Sequence, residues 1–232
     1  MKNILVTGAG CGIGFAIAKS IEGLADELIL ITKSKSFETL KQSFPNARNF
    51  KTDLTSESDL ESLIDKVTSE LNRLDVLVNN AGFYVGEKFE NTNVLQLDEL
   101  YKLHLRVPFL LIQKFLPLMK KSNRPQIINI SSAANFARLP GESAYTAVKS
   151  GLSAMGDTLR SELQSQKIQV TTIHPWAVNT HDSKNPENFL RPEDIGELVT
   201  YILRTHPNCQ IMNVELSAVS DWRGGWPPWI PE

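Results

Sequence analysis

Tyr145 and Lys149 stand four residues apart, the interval that stacks two side chains one turn apart on one face of a helix. A phenol beside an ammonium ionises more easily, because the positive charge favours the phenolate. An unassisted phenol, with a pKa near ~10, is poorly matched to proton exchange at neutral pH. The chain carries a second chemical signal near its start, Thr7-Gly8-Ala9-Gly10-Cys11-Gly12-Ile13-Gly14. It follows the apolar run Ile4-Leu5-Val6 and precedes Phe15-Ala16-Ile17-Ala18, so it reads as a strand, a tight turn and a helix N-terminus. That geometry holds a pyrophosphate, and glycines at 8, 12 and 14 let backbone and phosphate come close.

Elements able to position these residues are legible as short β-rich runs alternating with longer helical patterns. The strands expected are 3–7, 27–32, 48–52, 76–79, 126–130, 169–173 and 211–216; the helices are 12–21, 37–42, 56–71, 97–120, 142–164 and 192–203. Ser56 with Asp59 three residues later makes an N-cap signature for the third helix. The pattern predicts an α/β, Rossmann-type, doubly wound parallel sheet of seven strands with helices on both faces. At 232 residues it is expected to be one domain, 1–232, ending in a Trp- and Pro-rich tail at 218–232.

Composition narrows the function classes. A formal charge of −2 with scattered Lys and Arg offers no basic face to nucleic acid. Cys11 and Cys209, far apart, do not suggest a disulfide framework. Apolar runs such as Phe109-Leu110-Leu111-Ile112 are too short to span a bilayer, and no leader is visible. A cytoplasmic protein without membrane or nucleic-acid partners is expected. His174, His181 and His206 lack metal-ligand spacing, so no metal is expected.

Four segments together resemble the short-chain dehydrogenase/reductase family, specifically its single-domain branch of 3-oxoacyl-carrier-protein reductase-like carbonyl reductases. They are the glycine-rich run from Thr7 to Gly14, Asn79-Asn80-Ala81-Gly82, Ser132, and Tyr145 with Lys149, in the family's order. The likeness extends from about Lys2 to about Leu216. It implies that Tyr145 is the general acid for carbonyl reduction, that Lys149 holds the nicotinamide ribose and lowers the phenol's pKa, and that Ser132 donates to the substrate oxygen. Ser131, its neighbour, faces the opposite way by strand alternation. Two departures stand out: the family's helix asparagine is His104, and the glycine after the sixth strand's proline is Trp176, following Pro175.

For the cofactor, the implied contacts are Gly8, Cys11, Gly12, Ile13, Gly14, Thr32, Lys33, Asp53, Leu54, Asn80, Ala81, Gly82, Tyr145, Lys149, Pro175, Val178 and Thr180. Thr32-Lys33-Ser34-Lys35 ends the second strand with no carboxylate, where an NAD enzyme usually places Asp or Glu. A hydroxyl followed by cations suits a 2′-phosphate, so NADP(H) is favoured over NAD(H). The lysines could also be merely solvated, and Asp53 could simply cap the next helix. Two readings of His104 stay open. Pro108, four residues on, has no N–H, which leaves the His104 carbonyl free for a proton relay; alternatively the side chain is only packed.

Phe83, Tyr84, the loop from Asn135 to Gly141, and Trp176 are expected to wall the substrate pocket. The interval from His181 to Arg191 is too short for a pair of lid helices. Leu100, Leu103, Val107, Leu111, Phe115 and Leu118 give one apolar stripe, with further apolar positions beside it. The resemblance implies a homodimer or homotetramer built on the two long helices. The function expected is NADPH-dependent reduction of a small-molecule carbonyl to an alcohol. A nucleotide-binding regulatory or scaffold protein that has kept the fold is the alternative.

Overall fold

A computed structural model describes residues 2–180 and 186–219. Chain order runs β1 (Lys2–Thr7), α1 (Gly12–Ile21), β2 (Ala25–Thr32), α2 (Phe37–Ser43), β3 (Arg48–Lys51), α3 (Glu57–Glu70) and β4 (Val76–Asn79). It continues through α4 (Val94–Tyr101), α5 (Val107–Met119), β5 (Gln126–Ile130), α6 (Ala134–Ala137), α7 (Ser143–Glu162), β6 (Gln169–Pro175), α8 (Pro192–Arg204) and β7 (Asn213–Leu216). The strands form one all-parallel sheet ordered β3-β2-β1-β4-β5-β6-β7. This is the seven-stranded doubly wound architecture that the sequence predicts.

Period-two alternation divides the core between the two sheet faces. Ile4 and Val6 pack with Ile17, Ile21, Leu40 and Ile195, so α1, α2 and α8 cover one face. Leu5, Ile29 and Ile31 pack with Leu63, Leu111 and Leu163, so α3, α5 and the end of α7 cover the other. Both faces are thus dry, which explains why the strands read as near-continuous apolar runs. The chain begins winding outward from β1 in one direction and from β4 in the other. At that reversal the C-terminal strand ends leave a crevice.

Several boundaries and one long helix need correction. The 97–120 segment is not one regular helix: α4 begins at Val94, and Lys102–Arg106 forms a π-helical turn before α5. The Val107 amide bonds the Lys102 carbonyl, one residue further back than an α-helix allows. Pro108, which lacks an N–H, stands beside this widened turn, and both features are recognised ways of breaking a regular ladder. The four-residue α6 was not foreseen. β7 starts at Asn213 rather than 211, because the Ile211 carbonyl accepts instead from the Thr171 hydroxyl. Ser56 caps α3 as expected, its Oγ accepting from the Asp59 amide. The interval 181–185 and the Trp-rich tail from residue 220 lie outside the described residues.

The glycine-rich turn is held shut by contacts from β4. Gly8 has φ +67°, and a Cβ there would sit 2.7 Å from Ala81 Cα. At Gly14 a Cβ would run into the Gly8 carbonyl and the Asn80 side-chain amide. Neither neighbour is the free end of a long side chain. Gly14→Ala is therefore expected to destabilise the protein by roughly 1–3 kcal/mol through overpacking. Thermal unfolding should show a melting temperature lowered by about 2–4 °C per kcal/mol for a domain of this size. An unchanged melting temperature would show that the loop yields freely.

Candidate active site

A cavity of about 1030 Å³ runs along the C-terminal edge of the sheet, from the end of β2 to the start of α7. One end is built from the glycine turn. Thr7 Oγ1 donates to the Val78 carbonyl and accepts from the amides of Asn80 and Ala81. Asn80 Nδ2 donates to the carbonyls of Thr7 and Gly8. The turn and the Asn-Asn-Ala-Gly segment are thereby one unit. Asn79 turns inward and donates to Asn129 Oδ1 at 2.9 Å, tying β4 to β5. Thr180 lies over Gly12, its Cγ2 3.1 Å from where a Cβ would be.

At the far edge of this end, Thr32 Oγ1 and Ser36 Oγ share a hydrogen bond of 3.0 Å, and both crowd Gly10. Ser36 was missed in the sequence, although it continues the hydroxyl- and lysine-bearing run after β2. Lys33 Nζ lies 2.6 Å from Asp53 Oδ2. Asp53 Oδ1 accepts from the amide and hydroxyl of Thr55, a local turn rather than a free carboxylate. Partial burial alone would raise this carboxyl, but the bonds from Lys33 and Thr55 hold it below the usual range. The pair is surface-exposed, which limits its energetic weight.

The other end holds Ser132, Tyr145 and Lys149 together. Ser132 stands beside the Tyr145 phenol, near enough to oppose the rise in its pKa. Lys149 is 4% exposed, and its Nζ donates to the Ile130 carbonyl at 2.9 Å. That ammonium sits 5.6 Å from the Tyr145 ring centroid. Ser131 points away from the phenol, its Oγ bonded to the Lys149 carbonyl and to Ser153, so strand alternation separates the two serines as expected. Burial pushes the Tyr145 phenol well up, against the opposing influence of Ser132, with Glu142 adding to the rise. Burial also pulls Lys149 down to about 7. The phenol's pKa is thus raised overall rather than lowered as expected, because desolvation is the largest influence on it.

His104 is brought into the same wall. Its ring packs edge-on against Tyr145 at 5.7 Å and fills the space above Gly82, where a Cβ would collide with it. Nε2 lies 2.9 Å from the Phe83 carbonyl and 3.2 Å from the Phe83 amide, while buried Nδ1 has no partner among the described residues. Burial, then the Lys149 charge, holds the imidazole well below its ordinary pKa, so it is neutral.

Every cofactor residue expected from sequence lines this cavity, as do Phe83, Tyr84 and Trp176. Asn135 does not. It sits on α6 and borders a separate cavity of about 370 Å³ with Phe136, Ser153, Asp157, His174, Asn213 and Glu215. The short α6 helix redirects the loop, so Ala137 and Leu139 line the main cavity in its place. Trp176 is fixed at the wall by its Nε1, which donates to Glu215 Oε1 at 2.6 Å. The residue most clearly missed is Glu142. It is buried, lines the main cavity, and accepts from Tyr84 Oη at 2.9 Å. Its position three before Tyr145 was the available signal. Among the described residues no group of His, Cys, Asp and Glu is arranged to hold a metal, and no helix is long and apolar enough to cross a membrane.

Comparison with known proteins agrees with this geometry. Residues 2–188 match the family profile described as short chain dehydrogenase. An uncharacterised oxidoreductase of Staphylococcus epidermidis is 26% identical over 94% of this chain and 97% of its own. A D-beta-hydroxybutyrate dehydrogenase of Rhizobium meliloti is 31% identical over 77% of this chain and 72% of its own. Among solved structures, a serine dehydrogenase complexed with NADP+ superposes with a TM-score of 0.85 at 25% identity, covering 97% of this chain and 98% of that one. A metagenomic short-chain oxidoreductase in complex with NADP gives a TM-score of 0.80 at 27% identity, covering 92% and 96%. Glycine turn, Asn-Asn-Ala-Gly brace and Ser-Tyr-Lys group thus occur on the expected sheet, and the chain belongs to the short-chain dehydrogenase/reductase family of oxidoreductases.

Proposed function

We propose that this protein reduces a small-molecule carbonyl to an alcohol with NADPH, and catalyses the reverse oxidation. The observation that carries the reading is that Ser132, Tyr145 and buried Lys149 line one end of a cavity whose other end is the glycine cradle. The fit to a dinucleotide rests on that cradle: glycines at 8 and 14 let the turn close on Ala81, Asn80 and its own carbonyl, so that Gly8, Gly10, Gly12 and Gly14 line the cavity at the N-terminus of α1. The turn at 8–14, with Asn80 to Gly82 and Thr180, would hold the phosphates and ribose; Pro175 and Val178 would border the nicotinamide. When bound, the reduced nicotinamide supplies a hydride. Burial keeps the Tyr145 Oη–H protonated, so the residue enters reduction as an acid. Ser132 Oγ–H orients the carbonyl oxygen and stabilises its developing negative charge. Tyr145 then gives its proton to that oxygen, and Lys149, with a pKa of about 7, is matched to returning it. His104, neutral and packed on the phenol ring, positions Tyr145 and Phe83 rather than titrating.

Support for NADPH comes from Thr32 and Ser36 as hydroxyl donors, from Lys33, and from the lack of a carboxylate closing β2. The structural relatives of 25% and 27% identity described above carry NADP, which agrees with this choice. Lys33 would exchange its Asp53 partner for the 2′-phosphate. Assembly is proposed on a second apolar face: Phe89, Val94, Leu95, Tyr101 and Phe109 are exposed on or near α4 and α5. The other stripe, Leu100, Val107, Leu111 and Phe115, is already buried. An exposed patch of that kind marks an interface, and a second copy related by a two-fold axis would cover it.

Three measurements test these readings. Tyr145→Phe should lower the turnover of NADPH-dependent ketone reduction by ~10²–10⁴, with nucleotide affinity nearly unchanged; an unaffected rate would remove Tyr145 from the chemistry. Lys33→Ala should weaken NADPH binding by about tenfold, the scale of one charge-assisted hydrogen bond, while NADH binding stays the same. Equal losses for both nucleotides, or tighter binding of NADH by the unaltered protein, would reverse the cofactor choice. Light scattering at micromolar concentration should show a dimer or larger, and a monomer-sized species alone would reject the assembly.

A further inference from the structure

Glu142 occupies the residue before α7, where a carboxylate ordinarily accepts from a first-turn amide and complements the helix dipole. It makes no such cap bond. The side chain instead reaches into the main cavity, is only 5% exposed, and receives the Tyr84 hydroxyl at 2.9 Å. Among the described residues no donor reaches its other oxygen. A carboxylate can accept on both oxygens, so Glu142 keeps acceptor capacity in a cavity also walled by Phe83, Leu103, Leu139 and Trp176. Burial accordingly pushes the carboxyl above its ordinary range, opposed by the Tyr84 bond.

Its placement relative to the chemistry is close. Glu142 and Tyr145 lie three residues apart, on one face at the start of the helix. Tyr84, which braces Glu142, packs edge-on against the Tyr145 ring at 5.1 Å. A carbonyl oxygen bonded by Tyr145 and Ser132 would therefore carry its neighbouring substituents past Glu142. We infer that Glu142, braced by Tyr84, is the recognition residue for a hydrogen-bond donor on the substrate. The preferred substrate class is then a carbonyl compound bearing a hydroxyl or ammonium group beside the carbonyl, and a carboxylate in that place is rejected by like charge. This rests on the reductase reading of Tyr145 and narrows it.

The test uses a matched four-carbon set: 2-butanone, its 3-hydroxy and 3-ammonio derivatives, and 3-oxobutanoate. NADPH oxidation is followed for the unaltered protein and for Glu142→Gln. The unaltered protein should turn over a donor-bearing ketone with kcat/KM about tenfold or more above 2-butanone and 3-oxobutanoate, the size expected for one hydrogen bond to a charged group. Glu142→Gln should shrink that preference mainly through KM. The amide keeps an acceptor, so an ammonium substrate should lose more than a hydroxyl one, which separates the two sources. The inference is overturned if the unaltered protein shows no donor preference, or if Glu142→Gln lowers all four substrates equally, as a merely structural residue would. Should the variant not fold, the preference of the unaltered protein decides alone. Should no compound be turned over, calorimetric binding of the same set in the presence of NADPH decides: a donor preference sustains Glu142 while the reductase reading fails, and its absence sinks both.

Discussion

The hydroxyl of Thr7 is the point on which the rest of the site hangs. It stands at the end of β1, where the sheet's winding reverses, and it is shared between the Val78 carbonyl and the amides of Asn80 and Ala81. Parallel strands at such a reversal diverge at their C-terminal ends, so backbone polar groups there have lost their ladder partners and must find others. One threonine side chain supplies three of those bonds. Asn80 then extends the same knot to the Thr7 and Gly8 carbonyls. The next residues carry the consequence onward: Gly82 lies under the His104 ring, and His104 packs on Tyr145. The glycine turn and the Ser132–Tyr145–Lys149 group, on different elements, are in this way held in register by close packing and buried polar contacts.

The cavity wall around Tyr145 is built from groups that burial makes unwilling to ionise. Lys149, Tyr145, His104 and Glu142 are all shifted toward their neutral forms, with desolvation the largest cause in each case. Removing charge from such a site costs less than burying it unpaired. The Ile130 carbonyl gives one of the Lys149 donors a partner without neutralising the charge. A salt bridge there would have tied the lysine permanently to the charged form and lifted its pKa away from neutrality. The choice of a carbonyl rather than a carboxylate keeps the group able to exchange a proton.

Much of this was legible in the chain, for reasons that differ by residue. Tyr145 and Lys149 could be read because a helical interval stacks them whatever the surroundings do, whereas Ser132 was legible only through resemblance to the family's motif order. The glycines at 8 and 14 were legible because only a missing Cβ fits where Ala81 and Gly8 press in. The Lys33–Asp53 ion pair was not, since it spans the ends of two adjacent strands, β2 and β3, whose register is fixed only on folding. Asn135 was misplaced because a four-residue helix is below the length at which periodicity can be seen, and it turns that side chain to the second cavity. The π-helical turn was hidden for a similar reason: Pro108 signals a broken ladder but not how the break is absorbed. Glu142 escaped because a carboxylate before a helix has an ordinary capping role, and only its cross-cavity bond to Tyr84 separates the two uses.

The same balance of burial fixes how the phenol can respond to pH. As pH falls below about 7, Lys149 takes up a proton and its positive charge favours a phenolate on the neighbouring ring. As pH rises through that value the charge is lost and the phenol is held protonated by desolvation, with Glu142 adding to the effect. Because the lysine and the phenol each change the other's cost of ionisation, their proton equilibria belong to the pair rather than to either residue. The pairing works only if both stay dry, which returns the requirement to the packing of Tyr84, His104 and Ile130 around them.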